Sequence, residues 1–246
     1  MAIKPLGERQ LFSMKRGNLE KRISQYYSET HDTESVVEYG VAVLLFNAIT
    51  MDNYSFVCKD LFKELFMTAE PTDHLRDYCL YFYDFFTYDE WEVVRDRLFK
   101  NRREFSEWTR KIRPETAAVR AAAAPTNKRK VWLYENYLSE SDRSENEMER
   151  YSYAYHAAFR DENGRKIVQK FRNADVGMLN DRYFILLTTL MRLSIFQKNG
   201  IRRFHELEFR KCGRMSIMEF YADEDDDEAF LKRRKAKAKK EQEEAQ

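Results

Sequence analysis

The chain has 246 residues, 43% hydrophobic and 15% aromatic, which suffices for a sizeable core in one large domain or two small ones. Only 7 Gly and 4 Pro leave few turn signals, which argues against a sandwich or barrel and for helices. The formal net charge of +1 conceals blocks of opposite sign. Residues 28–92 carry 14 acids against 3 bases, net −11, and residues 95–130 carry 12 bases against 4 acids, net +8, so near-neutrality does not exclude a basic binding surface.

Residues 1–17 read as an irregular arm with Lys4, Arg9, Lys15 and Arg16, and lack the continuous apolar stretch of a signal peptide. Asn18 is placed to cap a helix over Leu19–Glu29. Thr33–Thr50 is apolar on nearly every side, which marks a core helix. Asp52 is expected to cap a third helix running to about Thr68. Seven of the eleven residues from Tyr78 to Tyr88 are aromatic. Their acidic neighbours Asp77, Asp84, Asp89 and Glu90 would repel phosphate, so packing is favoured over base stacking.

Thr87 and Glu90 have capping-box spacing. Beyond them Trp91, Val94, Leu98, Asn101, Phe105, Trp108 and Ile112 alternate in steps of three and four, predicting one long helix over Thr87–Arg113 with a polar residue in its seam. On that helix Arg95, Arg102, Arg103, Arg110 and Arg113 would share an arc of roughly 100°, a ridge whose guanidinium forks match phosphate oxygens. Pro114 ends the pattern. The alanine-rich stretch to Lys130 reads as a hinge. Lys128, Arg129 and Lys130 then precede Trp132, the basic-plus-aromatic arrangement that single-stranded nucleic acid uses.

In the second half, Ser144 and Glu147 suggest a helix through Phe159 that stops at Asn163-Gly164. Arg165, Lys166, Lys170 and Arg172 form a basic cluster assigned to a short helix. A buried helix is expected over Leu179–Lys198, stopped by Asn199-Gly200; its apolar run, Tyr183–Phe196, is broken by Arg192 and too short to cross a bilayer. Arg202, Arg203, Arg210, Lys211 and Arg214 give a third basic cluster. The tail from residue 222 carries six consecutive acids, Asp223–Glu228, and then seven bases in the nine residues Lys232–Lys240; it reads as a solvated, charged segment.

No catalytic motif, Gly-rich phosphate loop or metal-ligand spacing occurs in the sequence. Neither a cofactor nor a small-molecule substrate is implied. The three cysteines, Cys58, Cys79 and Cys212, are odd in number and widely spaced, which fits a reducing compartment, cytoplasmic or nuclear.

The expectation is therefore an all-α protein, an irregular multi-helix bundle. Its parts would be an arm (1–17), a helical lobe (18–113), a hinge (114–130), a second helical lobe (131–221) and a charged tail (222–246). The expected role is a non-enzymatic, self-associating structural protein that coats or packages nucleic acid, RNA in preference to DNA, without a membrane partner. The alternative is a helical scaffold subunit of a large protein assembly. Phosphate contacts are expected from Arg95, Arg102, Arg103, Arg110, Arg113, Lys128, Arg129, Lys130, Arg165, Lys166, Lys170, Arg202 and Arg203, with Trp132 beside them.

Overall fold

Helix α3 (Thr33–Ile49) is the central piece of the described core, with four other helices packed against it. A computed structural model of the chain describes residues 3–50, 52–111, 151–175, 178, 180–208, 212 and 214–219. The chain divides into two compact units, Met1–Val131 with Tyr153–Ser216 and Trp132–Ser152 with Ile217–Gln246. The described residues belong almost wholly to the first unit. The expected hinge, the segment with Lys128 to Trp132, the Ser144–Glu147 cap and the charged tail all lie outside them.

Asp32 caps α3 by accepting from the Ser35 backbone N–H at 3.1 Å. All fourteen residues from Val36 to Ile49 are buried, as an apolar perimeter requires. Around it lie α1 (Glu8–Ser13), α2 (Arg16–Thr30), α5 (Asp73–Tyr78) and the later α8 (Asn180–Arg192). A Cβ on Gly40 would collide with the Phe62 ring and sit 2.8 Å from Phe82 Cζ. Glycine therefore lets α4 (Lys59–Thr68) and the 3₁₀ segment Cys79–Phe85 close onto α3. Most of the aromatic run packs: Tyr78, Tyr81, Phe82 and Phe85 are buried while Tyr88 at its end is exposed, with Phe82 against Phe62 and Phe66 at 4.5 and 5.2 Å between ring centres.

Several expected boundaries move. The N-terminal arm contains α1, which buries Leu11 and Phe12, and Leu6 is buried before it. Helix α4 begins at Lys59 rather than at Asp52, because Phe56 and Cys58 adopt left-handed backbone and turn the chain first. Asp52 instead accepts from Asn173 Nδ2 at 2.9 Å.

The long helix over Thr87–Arg113 is two helices. The Thr87–Glu90 capping box forms and starts α6 (Tyr88–Leu98). The chain then extends at Phe99 (φ −125, ψ 137) and restarts as α7, residues 102–111. The break lets the consecutive residues Leu98 and Phe99 both reach the core, at 1% and 3% exposure. A continuous helix would turn one of them about 100° away. Asn101, read as a seam residue, is the cap of the new helix: its Oδ1 accepts from Glu104 N–H at 2.9 Å. Phe105 and Trp108 fold back onto Phe99, at 5.2 and 6.3 Å.

The all-α expectation is corrected after residue 150: the protein is mostly helical but carries a small sheet, and its helices surround α3 rather than forming a bundle. Strand β1 (Tyr151–Arg160) pairs antiparallel with β2 (Lys166–Arg172), from Ala154↔Arg172 to Arg160↔Lys166. Strand β1 also pairs with β5 (Glu206–Leu207) and β6 (Arg214–Glu219). Asn163-Gly164, read as a helix stop, is the hairpin turn between β1 and β2. Gly164 sits at φ +77 and its N–H donates to Asp161 O at 2.8 Å. Asn199-Gly200 is likewise a hairpin turn, joining β3 (Gln197–Lys198) to β4 (Ile201–Arg202). Both of its residues have positive φ, as a two-residue hairpin turn demands. Helix α8 accordingly ends at Arg192 rather than at Lys198.

One core spans the two expected lobes. Phe12 of α1 meets Phe46 of α3, Phe171 of β2 and Phe196, with ring centres 5.5–5.7 Å apart. Tyr155 of β1 stacks on Tyr183 of α8 at 4.0 Å. No described helix is long and apolar enough to cross a membrane.

Candidate nucleic-acid interface

In a strand, alternate side chains share a face. In β2 the inward set is Ile167, Gln169 and the buried Phe171, and the exposed set is Lys166, Val168, Lys170 and Arg172. The sequence expectation had placed these bases on a helix, where Lys166 and Lys170 would be neighbours on one face and Arg172 would turn to another. As a strand they form a row along one face, with Val168, 57% exposed, between the two lysines. Strand β2 lies at an edge of the described sheet. Among the described residues Lys166, Lys170 and Arg172 have no side-chain hydrogen bond or ion pair, so there their charges are free to meet an anion. Arg165 is exposed in the turn, where its N–H donates to Asp161 Oδ1 at 2.8 Å. Arg172 was not among the expected contact residues; its signal is the two-residue period with Lys166 and Lys170.

The ridge expected on the long helix is not continuous, since α6 and α7 are separate. Arg95 is held between Asp96 at 2.7 Å and Glu92 at 3.1 Å. On α7, Arg102 and Arg110 are exposed, and Arg103 pairs with Glu107 at 2.9 Å while 89% exposed. Such a surface pair contributes little stability, so Arg103 can exchange partners. Arg113, Lys128, Arg129, Lys130 and Trp132 lie outside the described residues.

Other arginines stitch the fold. Arg202 Nη2 donates to Met191 O at 2.6 Å, at the end of α8. Arg203 Nε donates to Glu8 Oε2 at 2.6 Å. Arg97 donates to Thr68 O and Ala69 O at the end of α4, and Arg76 to Leu98 O at the end of α6. A cation satisfies the orphan carbonyls there and opposes the negative end of the helix dipole. Arg202 and Arg203 are thus occupied, and β2 carries the free charge.

A second constellation sits in a cleft of about 570 Å³ lined by residues including Glu38, His74, Tyr78, Arg192, Ser194 and His205. The Glu38 carboxylate, 1% exposed, accepts from Ser194 Oγ at 3.0 Å and from Ile195 N–H at 2.9 Å. His74 Nε2 lies 3.5 Å from Glu38 Oε1. Burial pushes the Glu38 carboxyl above the ordinary glutamate value, opposed by the Ile195 and His74 interactions; burial also pushes the Tyr78 phenol up. The Ser194 proton is directed at Glu38 rather than at His74, so no serine-to-histidine relay is arranged. Glu38 fastens the turn after α8 to α3. Sequence reading missed this link because its partners are separated by more than 150 residues.

No family model, curated protein or solved structure matches this chain.

Proposed function

We propose that this chain is a non-enzymatic, nucleic-acid-associated structural protein that grips the phosphate backbone through β2. The observation that carries the reading is the exposed row Lys166, Lys170 and Arg172, whose charges no described acid neutralises. The row has an apolar residue but no aromatic ring, so it supplies charge without base stacking or edge recognition. Contacts of this kind position a nucleic acid without reading its sequence. Arg102 and Arg110 on α7 offer a second, separate pair of guanidinium groups with no partner among the described residues. RNA is the first substrate to test. An intracellular setting, cytoplasmic or nuclear, fits three cysteines that are all free thiols.

The test is a mobility-shift titration against unrelated RNA sequences over a series of salt concentrations. Affinity should be indifferent to sequence and fall steeply as salt rises, because counterions are released on binding. Replacing Lys166, Lys170 and Arg172 together with alanine should reduce the slope of log affinity against log salt by about 2 to 3, roughly 0.7 to 0.9 per phosphate contact. No binding at low salt, or an unchanged slope in the triple variant, would overturn the reading.

A further inference from the structure

The β2 row has a counterpart of opposite sign on α6. Tyr88, Asp89, Val93 and Asp96 are exposed on that helix, with Glu92 beside them. Asp89 has no partner among the described residues, whereas Arg95 reaches both Glu92 and Asp96 and the exposed Arg97 donates to Thr68 O and Ala69 O, so three acids and two arginines leave the strip net negative. Four large apolar side chains are exposed among the described residues, and three of them lie on these two strips: Tyr88 at 69%, Val93 at 59% and Val168 at 57%. Singly exposed apolar residues are common on protein surfaces; what sets these apart is that Val93 and Val168 each sit between like charges, acidic on α6 and basic on β2.

The strips also match in spacing. Along α6, Val93 stands about 6 Å from Asp89 and about 4.5 Å from Asp96 in axial rise. Along β2, Val168 stands about 6.6 Å from each of Lys166 and Lys170. The acid–valine–acid strip thus spans about 10.5 Å and the base–valine–base strip about 13 Å, a difference that lysine's flexible stem can absorb. Opposite charges around an apolar centre set the register of such a contact and disfavour either strip meeting its own kind.

We infer that α6 of one copy docks on β2 of a second copy of this chain. The inference rests on the same β2 row as the nucleic-acid reading, so nucleic acid and the neighbouring α6 compete for it. The two strips lie on different elements, so each docked pair keeps one free strip of each kind. The contact is head-to-tail and propagates into a ring or an open chain.

Light scattering on the nuclease-treated full chain at low salt tests this. The wild type should associate with rising concentration and dissociate when short RNA is added. Two charge-reversal variants, Asp89→Lys with Asp96→Lys and Lys166→Glu with Lys170→Glu, should each stay monomeric. Mixed together they should associate again, the two variants alternating, since wild-type α6 then meets wild-type β2 and reversed α6 meets reversed β2. The α6 variant should bind RNA with the wild-type salt slope, whereas the β2 variant should bind more weakly and with a reduced slope, which separates failure of this inference from failure of the nucleic-acid reading. Val93→Ser and Val168→Ser test the same contact without altering charge, and each should weaken association. A wild type that stays monomeric at low salt, association that survives either reversal, or a mixture that does not pair would overturn the inference.

Discussion

Glu38 shows how a single buried carboxylate can fasten two distant parts of the chain and still cost stability when ionised. Its two donors, Ser194 Oγ and Ile195 N–H, compensate for part of the desolvation that raises its pKa. A group whose folded pKa lies above its unfolded value, about 4.3 for glutamate, contributes most stability below that unfolded value. The contribution is lost as pH rises through the folded pKa. The Glu38→Gln variant keeps an acceptor for Ile195 but cannot ionise. Wild-type stability minus variant stability, from urea unfolding between about pH 4 and about pH 8, should therefore fall as pH rises. A pH-independent difference would remove the buried carboxylate from this role. At the same scale, Cys58 is pushed up to about 12, chiefly by burial, with the Glu20 charge adding to it. A thiol so disposed resists deprotonation and is a packing residue rather than a nucleophile.

Among the elements, the division of the expected long helix into α6 and α7 turns on Asn101. As the cap of α7 it satisfies the Glu104 N–H, and Glu104 in return accepts from Lys100 N–H at 2.6 Å. Asn101→Ala should destabilise the protein by about 1 kcal/mol, read as a lower urea midpoint with an unchanged slope. A neutral substitution would return Asn101 to the status of an ordinary surface residue. Where a local signal has one meaning, the sequence is legible: Thr87 with Glu90, the all-apolar α3 and the packed aromatic run each fold as their residues indicate. Where a signal has two meanings, local reading chooses badly. Asn-Gly ends helices and also makes tight hairpins, and at Asn163-Gly164 and Asn199-Gly200 the hairpin wins because strands flank both turns. Tyr151, Tyr155 and Phe159 recur every four residues, a spacing that fits a helix but also keeps side chains on one face of a strand. Once β1 is a strand, the bases of β2 align, so half of the candidate interface was visible as composition and invisible as geometry.

Across the whole molecule, the decisive feature is a core assembled from segments remote in sequence. Phe12 lies against Phe46, Phe171 and Phe196 and is 7% exposed. Phe12→Ala should cost about 3–5 kcal/mol. Amide hydrogen-exchange protection of α3 and of β1 should still be lost in a single shared transition, because one core holds the helices and the strands together. If the two signals separated in the variant, the segments before and after residue 130 would be independent folding units. The large negative block over residues 28–92 is also resolved at this scale. Part of it caps helices, as Asp32 and Glu90 do, part is buried like Glu38, and part stands on the outside of α6.

The Arg203–Glu8 pair joins residues 195 positions apart, and Glu38 reaches 157 positions to Ile195. Such separations delay folding, because the entropy of closing a long loop must be met before the contact forms. During synthesis α3 leaves the ribosome long before α8, β2 and Phe196 exist to cover it. The most apolar helix of the described chain thus spends the interval exposed, when its chief hazard is another nascent chain in the same condition. The architecture that gives this protein one continuous core makes translation speed and chaperone occupancy part of how reliably that core is reached.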